Sequence, residues 1–331
     1  LELPINKELI LLEAGHGKNL NGNMFAIVRE LCTNEKWKNL TPIFVVTKEN
    51  LQDAKKRFDF YKYKVKLVER ESAEYCRVLA TAKYLLTDNS FPPFFSKREE
   101  QVYLNTWHGT PLKTLGKSDI QNAKSLANLQ KNYLMADYAL FPNEFTRDVF
   151  MKDYMLENVY SGKILLCDYP RNSIFLDNEW QRILREKLKL EHKQLIAYMP
   201  TWRGTNRSAD AEIQKEILHK YFLEIDRQLS DDQVFCVNLH FLVGNTMDFS
   251  VYKHIQPFPK EYETYDFLSI CDILVTDYSS VFFDYAISEK KVILFAYDLK
   301  DYMRDRGTYF PITDLPFPIV YNVDELMEEI N

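Results

Sequence analysis

Short apolar runs of β type alternate with stretches of helical period from one end of the 331-residue chain to the other. A parallel strand needs a long crossover before its neighbour, and that crossover is usually a helix, so this alternation points to parallel sheets covered by helices. Strands are expected at Glu8–Glu13, Pro42–Thr47, Lys64–Val68, Lys83–Thr87, Val102–Asn105, Tyr138–Phe141 and Lys163–Leu166. The alternation restarts after Tyr169-Pro170-Arg171-Asn172, with strands at Gln194–Tyr198, Gln233–Asn238, Ile273–Thr276, Val292–Phe295 and Ile319–Tyr321. Domains of residues 1–167 and 168–331 follow, each a doubly wound α/β sheet, with a cleft expected between the carboxyl ends of their strands. Length alone agrees, since about 150 residues per domain gives two.

Composition narrows the function classes. Hydrophobic residues make up 46% of the chain and charged residues 27%, which suits a large folded core. Lysine and arginine total 42 against 48 acids, a net charge of −6, so the overall field does not favour nucleic acid or any other polyanion. Five separated cysteines, several inside apolar runs such as VFCV and SICDILV, read as free buried thiols in a reducing cytoplasm. No run approaches the 18 or so apolar residues of a spanning helix, and no secretory signal opens the chain. Glycine is scarce at 9 residues, so a phosphate site must be built largely without it.

Four stretches bring chemistry to strand ends. In Thr276-Asp277-Tyr278-Ser279-Ser280-Val281 a buried strand passes directly into an apolar helix. Asp277 or Ser279 can cap that helix, and the free amides at Ser279 and Ser280 offer an anion site. The plainer alternative is a capped helix and nothing more. Tyr103-Leu104-Asn105-Thr106-Trp107-His108-Gly109 delivers His108 to a strand end, where it is either a general base or a histidine packed under Trp107. Met199-Pro200-Thr201-Trp202-Arg203-Gly204 delivers Arg203, whose fork suits a diphosphate and which is otherwise a surface arginine. His240 follows Val237-Asn238-Leu239 in the same manner. Two imidazoles beside an anion-binding rim suit a substrate with hydroxyl and phosphate groups.

Other signals are missing. Gly15-His16-Gly17-Lys18-Asn19-Leu20 begins like a dinucleotide fingerprint, but Leu20 stands at the third glycine, and the stretch reads as a turn. There is no Asp-x-Asp pair for a metal-dependent nucleotide-sugar transferase and no zinc spacing, so neither a metal nor a cofactor is expected. Lys124–Met135 is weakly amphipathic, suited to helix packing or to contact with an acceptor or membrane.

YLNTWHGTPLKTLGK, DYPRN, YMPTWRG, TDYSSVFFDYA and FAYDLKDYMRDRGTYF resemble, in order and spacing, the CDP-glycerol glycerophosphotransferase family of teichoic-acid and capsule synthesis. The resemblance implies a GT-B-like pair of Rossmann-type domains, the first on the acceptor side and the second binding the CDP-polyol donor. It also implies transfer of glycerol phosphate or ribitol phosphate to an acceptor hydroxyl, with release of CMP. Catalytic roles would fall to His108 and His240, and donor-phosphate roles to Arg203, Asp277, Ser279 and Ser280. The expected partners are a CDP-activated polyol and a polyol-phosphate or glycan acceptor, including a lipid-linked one, with peripheral contact at the inner face of the cell membrane through patches such as Lys113–Lys117. Asp168 stands where the family commonly has glycine, and Phe241 where it commonly has proline. A chain that opens at Leu1 and stops at Asn331, where family members continue, reads as a domain of a larger polymerase. The rival readings are a GT-B glycosyltransferase with a nucleotide-sugar donor and a non-catalytic polymer-binding domain.

Overall fold

The computed structural model describes residues 3–119, 123–203, 208–239, 241–244, 246–299 and 307–331. The chain divides into two compact units, residues 1–173 with 261–265, and residues 174–260 with 266–331. The expected division at 167/168 thus lies six residues before the observed one, because the Tyr-Pro-Arg-Asn segment packs with the first unit.

In the first unit the strands are β1 (Asn6–Glu13), β2 (Thr41–Val46), β3 (Lys66–Glu69), β4 (Ala82–Thr87), β5 (Val102–Asn105), β6 (Tyr138–Phe141) and β7 (Lys163–Leu166). They form one parallel sheet in the order β3-β2-β1-β4-β5-β6-β7. The order reverses beside β1, so the connections leaving β1 and β4 run to opposite sides and open a crevice at their carboxyl ends. Side chains alternate across this sheet. Leu11, Val45 and Leu85 pack on one face with Tyr75 and Val78 of the helix Ala73–Thr81. Ile10, Leu12 and Phe44 pack on the other with Phe25 and Phe58, from the helices Gly22–Thr33 and Leu51–Tyr61.

The second unit holds β8 (Gln194–Met199), β9 (Gln233–Val237), β10 (Ile255–Pro257), β11 (Ile273–Thr276), β12 (Lys291–Phe295) and β13 (Ile319–Val320). They pair in parallel in the order β10-β9-β8-β11-β12-β13, reversing beside β8. All four residues of β11 are buried, as a central strand covered on both faces requires. Only β10 escapes the sequence pattern. It is three residues long, ends in Pro257 and lies at the sheet edge, where a missing N–H breaks no inner ladder.

Some helix starts are fixed by side-chain caps. Ser72 Oγ accepts from Tyr75 N at 3.0 Å, and Asn143 Oδ1 from Thr146 N at 2.8 Å. The amphipathic stretch is the helix Ala123–Met135, and it packs inward: Leu129 and Tyr133 join Trp107, Phe141 and Phe150 in a core cluster. Among the cysteines, Cys236 and Cys271 are buried as expected, whereas Cys76 and Cys167 are exposed; all five are free. Among the described residues no helix is long and apolar enough to cross a membrane.

One glycine sits where a side chain does not fit. At Gly17 φ is +77°, and a Cβ would stand 3.1 Å from the carbonyl carbon of Val46. Gly17→Ala should therefore destabilise the first unit by about 1–3 kcal/mol, from left-handed strain plus displacement of β2. Urea unfolding followed by tryptophan fluorescence measures this, and an unchanged midpoint would show that the turn relaxes freely.

Candidate active site

At the carboxyl end of β5 the backbone turns through Trp107 at φ +52°, a conformation that costs a bulky residue about 1–2 kcal/mol. The surroundings hold it there. Trp107 N donates to Asn105 Oδ1 at 3.0 Å, while Trp107 O accepts from Asn23 Nδ2 and from Thr106 Oγ1, each at 2.9 Å. Arg171 Nη2 donates to His108 O at 2.8 Å, and its guanidinium lies over the rings of Tyr169 and Tyr265. Strain held by so many groups marks a residue whose placement matters.

The residue so placed is His108. Its ring stacks on Trp107 with centroids 3.9 Å apart, and Nδ1 lies 2.7 Å from the Asp88 carbonyl oxygen. A carbonyl can only accept, so Nδ1 carries the proton and Nε2 presents its lone pair. His108 is an exposed residue, and the Trp107 ring stacked on it and the Asp88 carbonyl at Nδ1 displace part of the water around its ring. The lost solvation lowers its pKa below the ordinary 6.5, with the Asp88 carboxylate pulling the other way. Asp88 itself is 5% exposed, and burial raises its pKa. Its Oδ1 accepts from Gly15 N at 2.8 Å, tying the turn after β1 to the end of β4.

The buried carboxylate at the end of β1 is Glu13, which accepts from Tyr75 Oη at 2.6 Å and Arg70 Nε at 3.1 Å. Burial raises its pKa against both partners.

In the second unit the ends of β8, β11 and β12 meet at one guanidinium. Arg203 donates through Nε and Nη2 to the two oxygens of Asp298 at 2.6 and 3.0 Å, through Nη2 to Asp277 Oδ2 at 2.8 Å, and through Nη1 to Thr201 O at 2.6 Å. It lies over the rings of Tyr278 and Tyr297, and Tyr278 Oη donates to Asp298 Oδ1 at 3.1 Å.

Asp277 or Ser279 was expected to cap the following helix, and the Asp277 carboxylate turns the other way. It accepts from Thr201 N at 2.9 and 3.0 Å and from Tyr278 N. Ser280 occupies the N-cap of the helix Val281–Tyr285 without a side-chain cap bond, and Ser279 Oγ accepts from Val281 N at 3.5 Å. The apolar helix expected after this strand is one short α-helix, Val281–Tyr285, followed by a 3-10 turn at Ala286–Ser288.

Arg203 and Asp277 are thereby brought together, with Ser279 and Ser280 on the same loop as Asp277. His108 belongs to the first unit. His240 lies outside the described residues. Sequence reasoning missed Asp88, Arg171 and Asp298. Each follows a strand or sits in a motif already singled out: Asp88 after Leu-Leu-Thr, Asp298 after Phe-Ala-Tyr, and Arg171 within Asp-Tyr-Pro-Arg-Asn. Among the described residues no three His, Cys, Asp or Glu side chains converge on a possible metal site.

Comparison with known proteins adds to this geometry. The chain is 31% identical over 347 residues to a teichoic acid glycerol-phosphate transferase of Staphylococcus aureus, covering 98% of this chain and 84% of that one. It is 32% identical over 284 residues to a teichoic acid poly(glycerol phosphate) polymerase of Staphylococcus epidermidis, matching 80% of this chain but spanning only 38% of that polymerase. Among solved structures, the wall teichoic acid polymerase TagF superposes with a TM-score of 0.80 at 26% identity, covering 98% of this chain and 80% of that one. A TagF variant soaked with CDPG gives a TM-score of 0.80 at 27% identity. The two doubly wound parallel sheets are accordingly of the GT-B-like α/β class. The family described as CDP-glycerol:poly(glycerophosphate) glycerophosphotransferase matches residues 1–331 throughout, and the chain belongs to that family.

Proposed function

We propose that the chain transfers glycerol phosphate or ribitol phosphate from a CDP-polyol to an acceptor hydroxyl, with His108 as general base. The observation that carries this is the fixed tautomer of His108: Nδ1–H is committed to the Asp88 carbonyl, so Nε2 is the basic nitrogen. The acceptor oxygen attacks the β-phosphorus of the donor in line. A new P–O bond forms, the bond from that phosphorus to the bridging oxygen breaks, CMP leaves with the bridging oxygen, and Nε2 takes the hydroxyl proton. Each turn of the cycle exchanges one phosphoanhydride bond of the donor for one phosphodiester in the product and needs no redox partner.

The second unit supplies the donor side of this reading. Ser279 and Ser280 lead into a helix start, and their amides suit the donor phosphates. Arg203, committed to Asp277 and Asp298, fixes the loops after β8, β11 and β12 that carry those amides. It meets a donor phosphate by exchanging one carboxylate partner for it.

A polyol-phosphate acceptor, lipid-linked in the cell, would hold the enzyme peripherally at the inner face of the membrane. Free thiols at all five cysteines suit that reducing side.

His108→Ala should lower kcat by about 10²- to 10⁴-fold while leaving CDP affinity nearly unchanged, as measured by CMP release and calorimetry. Retained turnover would remove His108 from the chemistry, and the absence of CMP release from the unaltered chain would favour the polymer-binding alternative.

The base works only when neutral, and its lowered pKa keeps it neutral further into acid. The acid limb of kcat/KM should therefore lie below pH 6.5, the ordinary histidine value. Asp88→Asn removes the charge that favours the imidazolium, so it should move the limb further down. A limb at or above 6.5, or an upward shift in the variant, contradicts the assignment.

Arg203→Ala should weaken CDP binding at least about tenfold and lower the thermal midpoint, because the buried Asp277 and the part-buried Asp298 lose their shared partner. Arg203→Lys should restore neither, since one ammonium cannot replace a fork bonded to two side chains. Unaltered CDP affinity in the alanine variant would place the nucleotide elsewhere.

A further inference from the structure

The Gly15–Gly17 turn and the cavity beside it take no part in the reading above. Gly15, His16 and Gly17 have consecutive positive φ angles of 49°, 58° and 77°. The turn is pinned by Gly17 N donating to Ala14 O at 2.8 Å and by Thr47 N donating to Gly17 O at 2.9 Å, besides the Gly15 bond to Asp88. This geometry sets His16 in the wall of a cavity of about 660 Å³ within the first unit. Lys18 and Arg70 line it too, and Trp107, Leu129 and Tyr154 supply apolar wall. Such a size and mixture suit a small organic ligand with one charged end.

The charged groups facing His16 differ in their commitments. Arg70 bonds to Glu13 at 3.1 Å and to Glu71, whereas Lys18 is exposed. His16 Nδ1 is buried with no hydrogen-bond partner among the described residues, and the nearest carboxylate oxygen, of Glu13, stands 4.0 Å away. Burial lowers the His16 pKa, Arg70, Lys18 and His108 add to that, and the nearby Ser90 backbone opposes it. Asp119 is the acid in the cavity lining. An anion placed here would meet Lys18 and Arg70 and would relieve the repulsion on His16. Trp107, in the same wall, carries the stacked His108 on its ring.

We propose that this cavity is the acceptor subsite, with Lys18, His16 and Arg70 receiving the last phosphate of a polyol-phosphate chain and Trp107 and Tyr154 receiving the polyol carbons, so that the terminal hydroxyl is offered to His108. The proposal rests on the transferase reading, which supplies the hydroxyl to be activated. His16 and Lys18 are positioning residues in it, since they hold the acceptor by its phosphate and leave the proton to His108.

The test uses the 331-residue chain with CDP-glycerol and two synthetic acceptors, an alkyl-linked glycerol phosphate and the matching phosphate-free alkyl glycerol. Lys18→Ala and His16→Gln should each raise KM for the phosphate-bearing acceptor about 10- to 100-fold, the loss expected for a charge-assisted contact. Both variants should leave kcat and CDP affinity near those of the parent, and KM for the phosphate-free acceptor should not move. Equal losses with both acceptors, or no loss with either, would overturn the subsite. If the unaltered chain releases no CMP from CDP-glycerol or CDP-ribitol with either acceptor, the transferase reading itself fails and the subsite falls with it.

Discussion

A parallel sheet sends every strand's carboxyl end to one edge, and in both units that edge carries buried carboxylates that must be matched by donors. Glu13, Asp88 and Asp277 are each 5% exposed or less. Leaving one such charge unpaired costs several kcal/mol, so each has recruited partners from neighbouring strands. Glu13 takes Tyr75 and Arg70, Asp88 takes the Gly15 amide, and Asp277 takes the Thr201 and Tyr278 amides with Arg203. These bonds join loops that the sheet alone would leave independent. The loop geometry on which the candidate chemistry depends is thus a consequence of satisfying buried charge.

Scarcity of glycine shapes the same loops. Among the described residues eight non-glycine residues adopt positive φ, Trp107 and His16 among them, while Lys62 and Lys189 end helices in the left-handed cap position that glycine commonly fills. A lysine there is solvated and adapts at low cost. Trp107 is 7% exposed and cannot, so its conformation persists only because Asn105, Thr106, Asn23 and Arg171 bond the peptide groups on either side. That division explains why the Asp-Tyr-Pro-Arg-Asn stretch, more than 60 residues from His108 in sequence, belongs to the same constellation.

The alternation of apolar runs was enough to read both sheets, since buried parallel strands such as Ile273–Thr276 announce themselves by composition. β10 was illegible because three edge residues ending in proline carry no period. His108 and Arg203 were visible as single polar residues at strand ends. Their partners Asp88 and Asp298 stood at strand ends as well, but a lone aspartate after a strand looks like an ordinary turn residue until its cation or amide is known. The direction in which Asp277 points could not be read either, because an aspartate before a helix caps it by default, and the competing donors, the Thr201 amide and the Arg203 guanidinium, come from across the sheet.

The electrostatics of the second unit set a limit on how the donor can be held. Among the described residues one guanidinium faces the carboxylates of Asp277 and Asp298, and that group of three by itself does not attract a diphosphate from a distance. On the proposed reading the amides of Ser279 and Ser280 would still bind it, because hydrogen bonds to a phosphate oxygen act at contact and a helix start adds partial positive charge. Arg203 then contributes by order more than by attraction. Held by Asp298 through a two-point fork and by Asp277 at its other edge, it fixes where Thr201 and the Tyr278-Ser279-Ser280 loop stand before any ligand arrives. On the proposed reading a site arranged in this way would recognise the donor by the geometry of its phosphates, and charge neutralisation would become strong only as the leaving CMP develops its own charge.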